Sequence, residues 1–186
     1  IYTVTITALL TQRQILQTIL DANPNNTLEW NPENVTDLGL LPGVVTNSAG
    51  EIVELSMVNK NISELPSEIG QLLKLRFLNL SANQITFLPI EIGALINLEI
   101  LYLEGNQLTT IPIDIGQLTN LKELILAVNQ LTAISTEIWK LKRLTRLSFS
   151  GNLITELPSG IGQLINMENL GLSHNQLSEL PIEIGE

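Results

Sequence analysis

Cysteine is absent from this 186-residue chain, and histidine occurs only once. Without cysteine the chain can form neither a disulfide nor a thiolate, which excludes cysteine-dependent catalysis and cysteine-ligated zinc. The single histidine, His174, has no second histidine with which to share a metal ion, and no serine shows a His–Asp pairing by motif. A phosphate-binding loop of the Gly-x-x-x-x-Gly-Lys type is also missing. The sequence therefore predicts no catalytic residue, no metal site and no cofactor.

Positive charge and long apolar runs are scarce as well. Nine Lys and Arg residues stand against nineteen Asp and Glu residues, so the formal net charge is −10 and the pI is about 4.5. Nucleic acid selects a basic surface, so this charge balance argues against a nucleic-acid partner. It also disfavours an anionic membrane surface, and no apolar run is long enough to span a bilayer. We therefore expect a protein or peptide partner and no membrane insertion.

The abundant feature is a 23-residue repeat of aliphatic residues around an asparagine. A fixed period of about 20–50 residues indicates stacked structural units and not one globular core. The units run 52–74, 75–97, 98–120, 121–143, 144–166 and 167–186, and the last unit is incomplete. The repeated asparagines are Asn83, Asn106, Asn129, Asn152 and Asn175.

Two patterns follow each other within a unit. Leu101 and Leu103 stand two residues apart, as do their equivalents in every unit, and this period of two predicts a short strand with one buried face. After the asparagine, Leu88, Ile92 and Leu95 have helical spacing. The proline of each return is expected in the first helical turn, and the glycine that follows shortens the helix to a single turn or a 3₁₀ segment. The asparagine amide both donates and accepts, so we expect a buried structural ladder.

These motifs resemble the leucine-rich repeat family, in its 23-residue form with a return such as Leu88–Gly93 (LPIEIG). The resemblance covers residues 52–186 and implies a right-handed α/β solenoid. It implies a parallel β-sheet on the concave face and short helical or 3₁₀ returns on the convex face. Lys60 stands where the first ladder asparagine would be. In the fourth unit Ser135 replaces the proline and Trp139 replaces the glycine, so we expect its outer return to be distorted.

Residues 1–51 precede the repeats and are interpreted as an amino-terminal cap. Thr11 and Gln14 fit a capping box, which predicts a helix over residues 11–22. A short strand near residues 43–46 is expected to form a hairpin with the first repeat strand. Trp30 is expected to anchor the packing of this cap on the open end of the core. The alternative interpretation is a separate functional domain, although about 50 residues is small for one.

The other end of the repeat array has no cap in the sequence. Solenoids need polar terminal units to remain soluble. The chain stops inside the sixth return, so its last aliphatic residues would border solvent. We expect either a longer protein or self-association through this end. The residues concerned are Leu170, Leu172, Leu177, Leu180 and Ile184.

The side chains between the aliphatic columns are expected on the concave face. Four large apolar residues cluster there on adjacent strands, with three charged residues around them. An apolar patch with a charged rim is typical of an interface, and aromatic anchors usually dominate its affinity. The alternative is ordinary strand surface, because these residue types favour strands. The predicted protein-binding residues are Phe77, Ile100, Tyr102 and Ile125, with Glu104, Glu123 and Arg146 as the rim.

Two charged features complete the surface. The segment 140–146 holds four of the nine basic residues and is interpreted either as a solvated patch or as a second contact for an acidic partner. A column of carboxylates recurs at the start of the returns, where negative charge suits a helix start. A weak divalent-cation site is the alternative for this column, which consists of Glu68, Glu91, Asp114, Glu137 and Glu183.

The resemblance implies a non-catalytic protein-binding module. We expect a bacterial protein that is secreted or displayed at the cell surface and binds a protein, such as a host molecule. The alternative is a cytoplasmic leucine-rich repeat scaffold that regulates signalling proteins such as small GTPases. Repeat-bearing bacterial ubiquitin ligases form a third class, but they use a catalytic cysteine in an added domain, and this chain has no cysteine.

Overall fold

The structure is a computed structural model that describes residues 10–185, and it is a solenoid of stacked turns. One α-helix, α1 (Gln12–Ala22), precedes the sheet. Each later turn contributes one strand and one 3₁₀ return. The strands are β1 (Val44–Thr46), β2 (Ile52–Ser56), β3 (Phe77–Asn79), β4 (Ile100–Tyr102), β5 (Glu123–Ile125), β6 (Arg146–Ser148) and β7 (Asn169–Gly171). The 3₁₀ segments are Leu38–Leu40, Ser67–Gln71, Ile90–Ala94, Ile113–Gln117, Thr136–Lys140, Ser159–Gln163 and Ile182–Gly185.

The strands lie side by side in chain order. β1 pairs antiparallel with β2, and every later pair is parallel. The register advances by one repeat at each step, so Leu101 pairs with Leu78 on one side and with Leu124 on the other. These frame residues are fully buried in one continuous apolar core. The solenoid with a concave parallel sheet is therefore confirmed.

The returns are 3₁₀ segments because their sequence permits little more than one turn. The prolines expected in the first helical turn lie one residue earlier, at the N-cap, so that expectation is wrong by one position. Their φ angles, from −61° to −69°, match the range that the proline ring imposes. The prolines concerned are Pro66, Pro89, Pro112 and Pro158.

The ladder asparagines join neighbouring repeats where the chain leaves each strand. The Asn106 amide nitrogen donates to the carbonyl oxygens of Leu80 (2.9 Å) and Leu103 (3.0 Å). Its amide oxygen accepts from the backbone N–H of Ile85 at 3.0 Å. One side chain therefore satisfies backbone groups of two repeats, and it is buried while doing so. Asn83, Asn129, Asn152 and Asn175 repeat this arrangement.

A further asparagine, which lies outside the 23-residue period, links α1 to the first repeat. Asn23 is the C-cap of α1 and is 1% exposed. Its amide nitrogen donates to the carbonyl oxygens of Ile19 and Glu64, both at 2.8 Å. Its amide oxygen accepts from the N–H groups of Ser63 (2.7 Å) and Glu64 (3.0 Å). Asn23 therefore does for the first repeat what the ladder does between later repeats.

Other contacts hold residues 10–51 together and join them to the first repeat. The capping box at the start of α1 is formed by Thr11 and Gln14. The Gln12 side chain accepts from the backbone N–H of Ile52 at 2.6 Å. Trp30 is buried, as expected, and its indole N–H donates to the Pro42 carbonyl oxygen at 2.8 Å. The division into a cap (1–51) and six repeats remains an interpretation, and residues 1–9 lie outside the described part.

The fourth return is regular, so the expected distortion is wrong. Its 3₁₀ segment has the same length as its neighbours, and Ser135 adopts a proline-like φ of −62° at the N-cap. Trp139 is 4% exposed because the next repeat carries Gly160 at the facing position. A Cβ atom on Gly160 would lie 2.2 Å from the Trp139 ring. Trp139 and the facing Gly160 are therefore one compensated change.

The last described repeat is the least covered. Leu170 and Leu172 are only half-buried, whereas their equivalents Leu147 and Phe149 are fully buried. Leu180 and Ile184 are exposed. The apolar face of this repeat therefore borders solvent in the described part of the chain.

We expect Asn106→Ala to lower the free energy of unfolding by about 1–3 kcal/mol, because it leaves buried carbonyl and N–H groups without partners. Urea denaturation followed by circular dichroism measures this loss. The control is Asn97→Ala, since Asn97 donates to a carbonyl oxygen at an exposed position, where water can replace it. Equal losses in the two variants would contradict a special role for the buried ladder.

We expect Gly160→Ala to cost about 1–3 kcal/mol in the native chain, because the added methyl group collides with the Trp139 ring. In a Trp139→Ala background the same change should be nearly neutral. That background is itself expected to lose about 3–5 kcal/mol because it contains a cavity. A double-mutant cycle from thermal unfolding measures the coupling, and purely additive losses would refute the compensation.

Candidate functional site

The aromatic residues of the concave face form an edge-to-face pair. Phe77 on β3 pairs with Ile100 on β4, and Tyr102 lies two residues further along β4. The rings of Phe77 and Tyr102 are therefore diagonal neighbours, with centroids 5.8 Å apart and an interplanar angle of 81°. Such pairs contribute about 0.5–1.5 kcal/mol beyond the area they bury. The pair presents two rings, packed edge to face, on the concave surface.

A chain of polar contacts continues from this pair across two further strands. The Tyr102 hydroxyl donates to Glu123 Oε2 at 2.5 Å, and Arg146 Nη1 lies 3.7 Å from the same oxygen. Burial raises the pKa of Tyr102, and the hydrogen bond to Glu123 and the charge of that carboxylate raise it further. Tyr102 therefore stays protonated at neutral pH and can act as the donor. The contacts hold the ring in one orientation.

The exposure of the predicted patch differs from the expectation at one residue. Phe77, Ile100 and Tyr102 are half-buried, and Glu104 is exposed. Ile125 is only 9% exposed, so the expectation that it belongs to an exposed patch is wrong. It pairs with Tyr102 on the neighbouring strand, and the Tyr102 hydroxyl reaches Glu123 on the strand of Ile125. The apolar surface available to a partner is therefore centred on the aromatic pair.

Two exposed aliphatic residues lie on neighbouring returns, on the other side of the solenoid. Ile90 is 63% exposed and Ile113 is 72% exposed, and both follow the proline of their return. The sequence reading did not consider them as a surface. Single exposed aliphatic residues are common on soluble proteins, so this pair alone does not indicate a site. It provides a matched comparison for the concave pair.

The column of carboxylates is not assembled into a cation site. Across residues 10–185, no three His, Cys, Asp or Glu side chains lie close enough together to hold a metal ion. Glu68, Glu91, Asp114, Glu137 and Glu183 each lie in the first turn of a 3₁₀ segment. Negative charge in a first turn lies near the free N–H groups that begin it, which is favourable.

The basic segment 140–146 does not form one patch, because its side chains point to three faces. Lys140 pairs with Glu137 on the convex face at 2.5 Å, and Arg146 belongs to the concave face. Lys142 donates to Gln163, and Arg143 donates to the Asn120 side chain at 2.8 Å. The two latter residues lie on the flank of the solenoid, on the side where each strand begins. A contact surface made by the whole segment is therefore not present.

The flank carries a second asparagine ladder that the sequence reading missed. Asn97 donates to the carbonyl oxygen of Leu73 (2.7 Å), and Asn120 donates to that of Ile96 (2.8 Å). Asn166 makes the same contact one repeat beyond Arg143. The signal was available, because these asparagines also have the 23-residue period, with Arg143 in the missing position.

Ion pairs accompany this flank ladder. Arg76 and Lys122 both contact Glu99 at 2.6 Å, one on each carboxylate oxygen. The hydrogen bonds from Lys122 and Arg76 lower the pKa of Glu99 below its ordinary value. Arg76, Glu99 and Lys122 lie immediately before β3, β4 and β5. The spacing of these strands therefore sets the distances between the three backbones.

The family comparisons agree with this architecture. The family model described as "Leucine-rich repeat region" matches residues 51–152, and a second model, "Leucine Rich Repeat", matches residues 143–164. No curated protein matches the chain significantly. In the part of the chain that the structure describes, no helix combines the length and the apolar character that crossing a membrane requires.

Several solved structures are similar to the chain. The leucine-rich repeat protein LIC12759 of Leptospira interrogans is 38% identical over 70% of this chain and 33% of its own, with a TM-score of 0.68. The ectodomain of the Arabidopsis thaliana receptor kinase GASSHO1/SCHENGEN3, in complex with CASPARIAN STRIP INTEGRITY FACTOR 2, is 27% identical over 94% of this chain and 22% of its own, with a TM-score of 0.84.

The Arabidopsis thaliana BIR3–SERK2 complex contains a further similar chain, 27% identical over 88% of this chain and 96% of its own, with a TM-score of 0.72. The present chain spans about a third of the Leptospira protein and about a quarter of the PEPR1–AtPEP1 structure that it also matches. These structures share the stacked architecture over most of the chain.

Proposed function

The chain belongs to the leucine-rich repeat family, and from that premise we propose that it is a non-catalytic module that binds a protein or peptide partner on its concave face. Proteins of this architecture generally serve as interaction scaffolds, because stacked repeats create an extended concave surface. Several of the similar structures are complexes with a named partner. The chain has no cysteine and the described residues have no metal cluster on which catalysis could be built.

The observation that carries this proposal is the aromatic pair of Phe77 and Tyr102. Tyr102 is held by Glu123, so its side chain would lose little conformational freedom when a partner binds. Rigid aromatic side chains near the centre of a contact surface usually contribute most of its affinity. The pair therefore supplies the anchor, and Ile100 extends its apolar surface.

The rim indicates the chemistry of the partner. Glu54 pairs with Phe77 across β2 and β3, and it is exposed, as is Glu104 two residues beyond Tyr102. Arg146 lies close to Glu123, which reduces its effect as a free positive charge. We therefore propose a partner segment with an apolar side chain flanked by Lys or Arg. Opposite charge at the rim increases the association rate.

The setting of the protein is part of the proposal. We propose a bacterial protein that is secreted or held at the cell surface and contacts a host molecule, which the similarity to the Leptospira protein supports. The alternative is a cytoplasmic scaffold for signalling proteins such as small GTPases. A secretion signal encoded in the complete gene would favour the first, and its absence there would favour the second.

We expect the double variant Phe77→Ser/Tyr102→Ser to weaken partner binding at least tenfold, since it removes both rings and leaves the buried frame intact. The partner is first captured on immobilised wild-type protein, and its Kd is then measured by calorimetry. Ile90→Ser/Ile113→Ser is the matched control, because it makes the same kind of change on the convex face. If the control loses binding and the concave variant does not, the concave site is wrong.

We also propose that the open face of the last repeat lets the chain self-associate, because Leu170 and Leu172 are half-buried and Leu180 is exposed. We expect sedimentation velocity to show oligomers whose fraction rises with concentration. Leu180→Glu should reduce that fraction, whereas Ile113→Glu, at an exposed position far from this face, should not. A strict monomer at high concentration would contradict the proposal.

A further inference from the structure

The flank of the solenoid carries a groove of about 490 Å³ beside the start of the strands. We call it the flank groove. It combines four positive charges with one negative charge, although the whole chain has a net charge of −10. It is therefore the place where the scarce cations of this protein are concentrated. Its polar lining includes Lys74, Arg76, Asn97, Glu99, Lys122 and Arg143.

Two cations of the flank groove are held in position and still have free hydrogen-bond donors. Glu99 accepts two hydrogen bonds from Arg76 and one from Lys122. A guanidinium has five N–H donors and an ammonium has three, so both retain donors for another anion. Arg76 is 63% exposed and Lys122 is 51% exposed, so these donors can be reached from solvent. Glu99 thus holds Arg76 and Lys122 in position and competes with any bound anion for their N–H groups.

The other two cations extend the groove on either side. Arg143 is oriented by the Asn120 side chain, whose oxygen accepts from Arg143 Nη1 at 2.8 Å. Lys74 makes no ion pair within residues 10–185 and is the end of the groove nearest to α1. The groove therefore offers cations along the stack and does not converge on a single point, as a pocket for one small anion would.

The spacing of these cations identifies the occupant. Arg76 and Lys122 both reach Glu99, so their charged groups lie together in the middle of the row. The backbones of Lys74 and Arg143, at its two ends, stand three strands apart, which is about 14 Å at the usual strand separation. Four residues of an extended chain also span about 14 Å, and alternate side chains of such a chain point to one face. We infer that the flank groove binds an extended acidic segment of a partner protein, with carboxylates on alternate residues along the stack axis. This surface goes beyond the proposed concave site and is independent of it.

The charge of the chain selects against other occupants. A net charge of −10 repels long polyanions such as nucleic acid, whereas a short segment with three carboxylates meets mainly the local field of the groove. A second copy of the chain would bring the same net charge of −10. An acidic peptide that follows one groove for a few residues fits both the local cations and the overall charge.

The test uses a nine-residue peptide with Glu at positions 3, 5 and 7, neutral residues elsewhere and a neutral fluorescent label. Two comparison peptides carry Gln at those positions, or three consecutive Glu residues. Fluorescence anisotropy with the whole chain at low salt measures Kd. We expect the spaced peptide to bind at least fivefold more tightly than either comparison peptide, and added salt to weaken its binding. Equal affinity for the three peptides would overturn the inference.

Variants then assign the binding to the groove. Arg76→Gln/Arg143→Gln should weaken binding at least fivefold, whereas Lys60→Gln/Lys140→Gln, with the same change in net charge outside the groove, should change it less than twofold. Glu99→Gln should tighten binding at least threefold, because it releases both cations. Equal weakening in the two double variants, or no tightening by Glu99→Gln, would show that the groove is not the site.

Two further measurements separate this inference from its alternatives. Phe77→Ser/Tyr102→Ser should bind the acidic peptide normally, so failure of the concave site would leave the groove intact. A single-stranded dodecanucleotide that binds as tightly as the peptide would overturn the assignment to polypeptide. Concentration-dependent association that Arg76→Gln/Arg143→Gln abolishes would assign the groove to a second copy and would equally overturn it. Circular dichroism confirms that each variant is folded.

Discussion

The structure depends on one constraint, which is that a single repeat cannot bury its own aliphatic residues. Leu101 is fully buried only because Leu78 and Leu124 pack beside it on the neighbouring strands. The same stacking leaves the backbone groups beyond each strand without partners inside their own repeat. The ladder asparagines satisfy those groups across the boundary between repeats, so apolar packing and hydrogen bonding both bind each unit to the next.

This constraint leaves the side chains between the frame positions free to form surfaces, and the three faces differ in kind. On the concave face neighbouring strands bring side chains together, so Tyr102 can reach Glu123. On the convex face the returns carry aliphatic residues after the prolines, and Ile90 and Ile113 are mostly exposed. On the flank, charged residues of successive repeats meet in rows. Stacking thus provides several independent surfaces on one short chain.

The fourth and fifth repeats show how the stack accommodates an exception. The glycine of a normal return is needed because the next return passes very close to it: a Cβ atom on Gly93 would lie 2.6 Å from a backbone oxygen. Trp139 fits this gap because the facing residue is Gly160. A Cβ atom at that position would collide with the ring. Within residues 10–185 the indole N–H of Trp139 has no hydrogen-bond partner, which is a cost of this solution.

The architecture could be read from the sequence because its determinants are periodic. The 23-residue spacing and the paired apolar positions recur in every unit, and the asparagine recurs in every unit but the first, so one irregular unit does not obscure the pattern. The candidate site was only partly readable. The neighbours of Phe77 and Tyr102 followed from the register, but the burial of Ile125 did not, because it depends on how side chains of neighbouring strands pack after folding. The flank ladder was equally periodic and was overlooked beside the stronger leucine signal.

The sequence by itself determined the unit, the stacking order and the side of the sheet on which each residue lies, because a fixed repeat maps equal positions onto equal places. Tertiary structure alone decided which cations share Glu99, how deeply Ile125 is buried and where Trp139 finds room. These outcomes depend on side chains of different repeats that meet only after stacking. Their contacts depend on distances of a few ångströms that no spacing along the chain encodes.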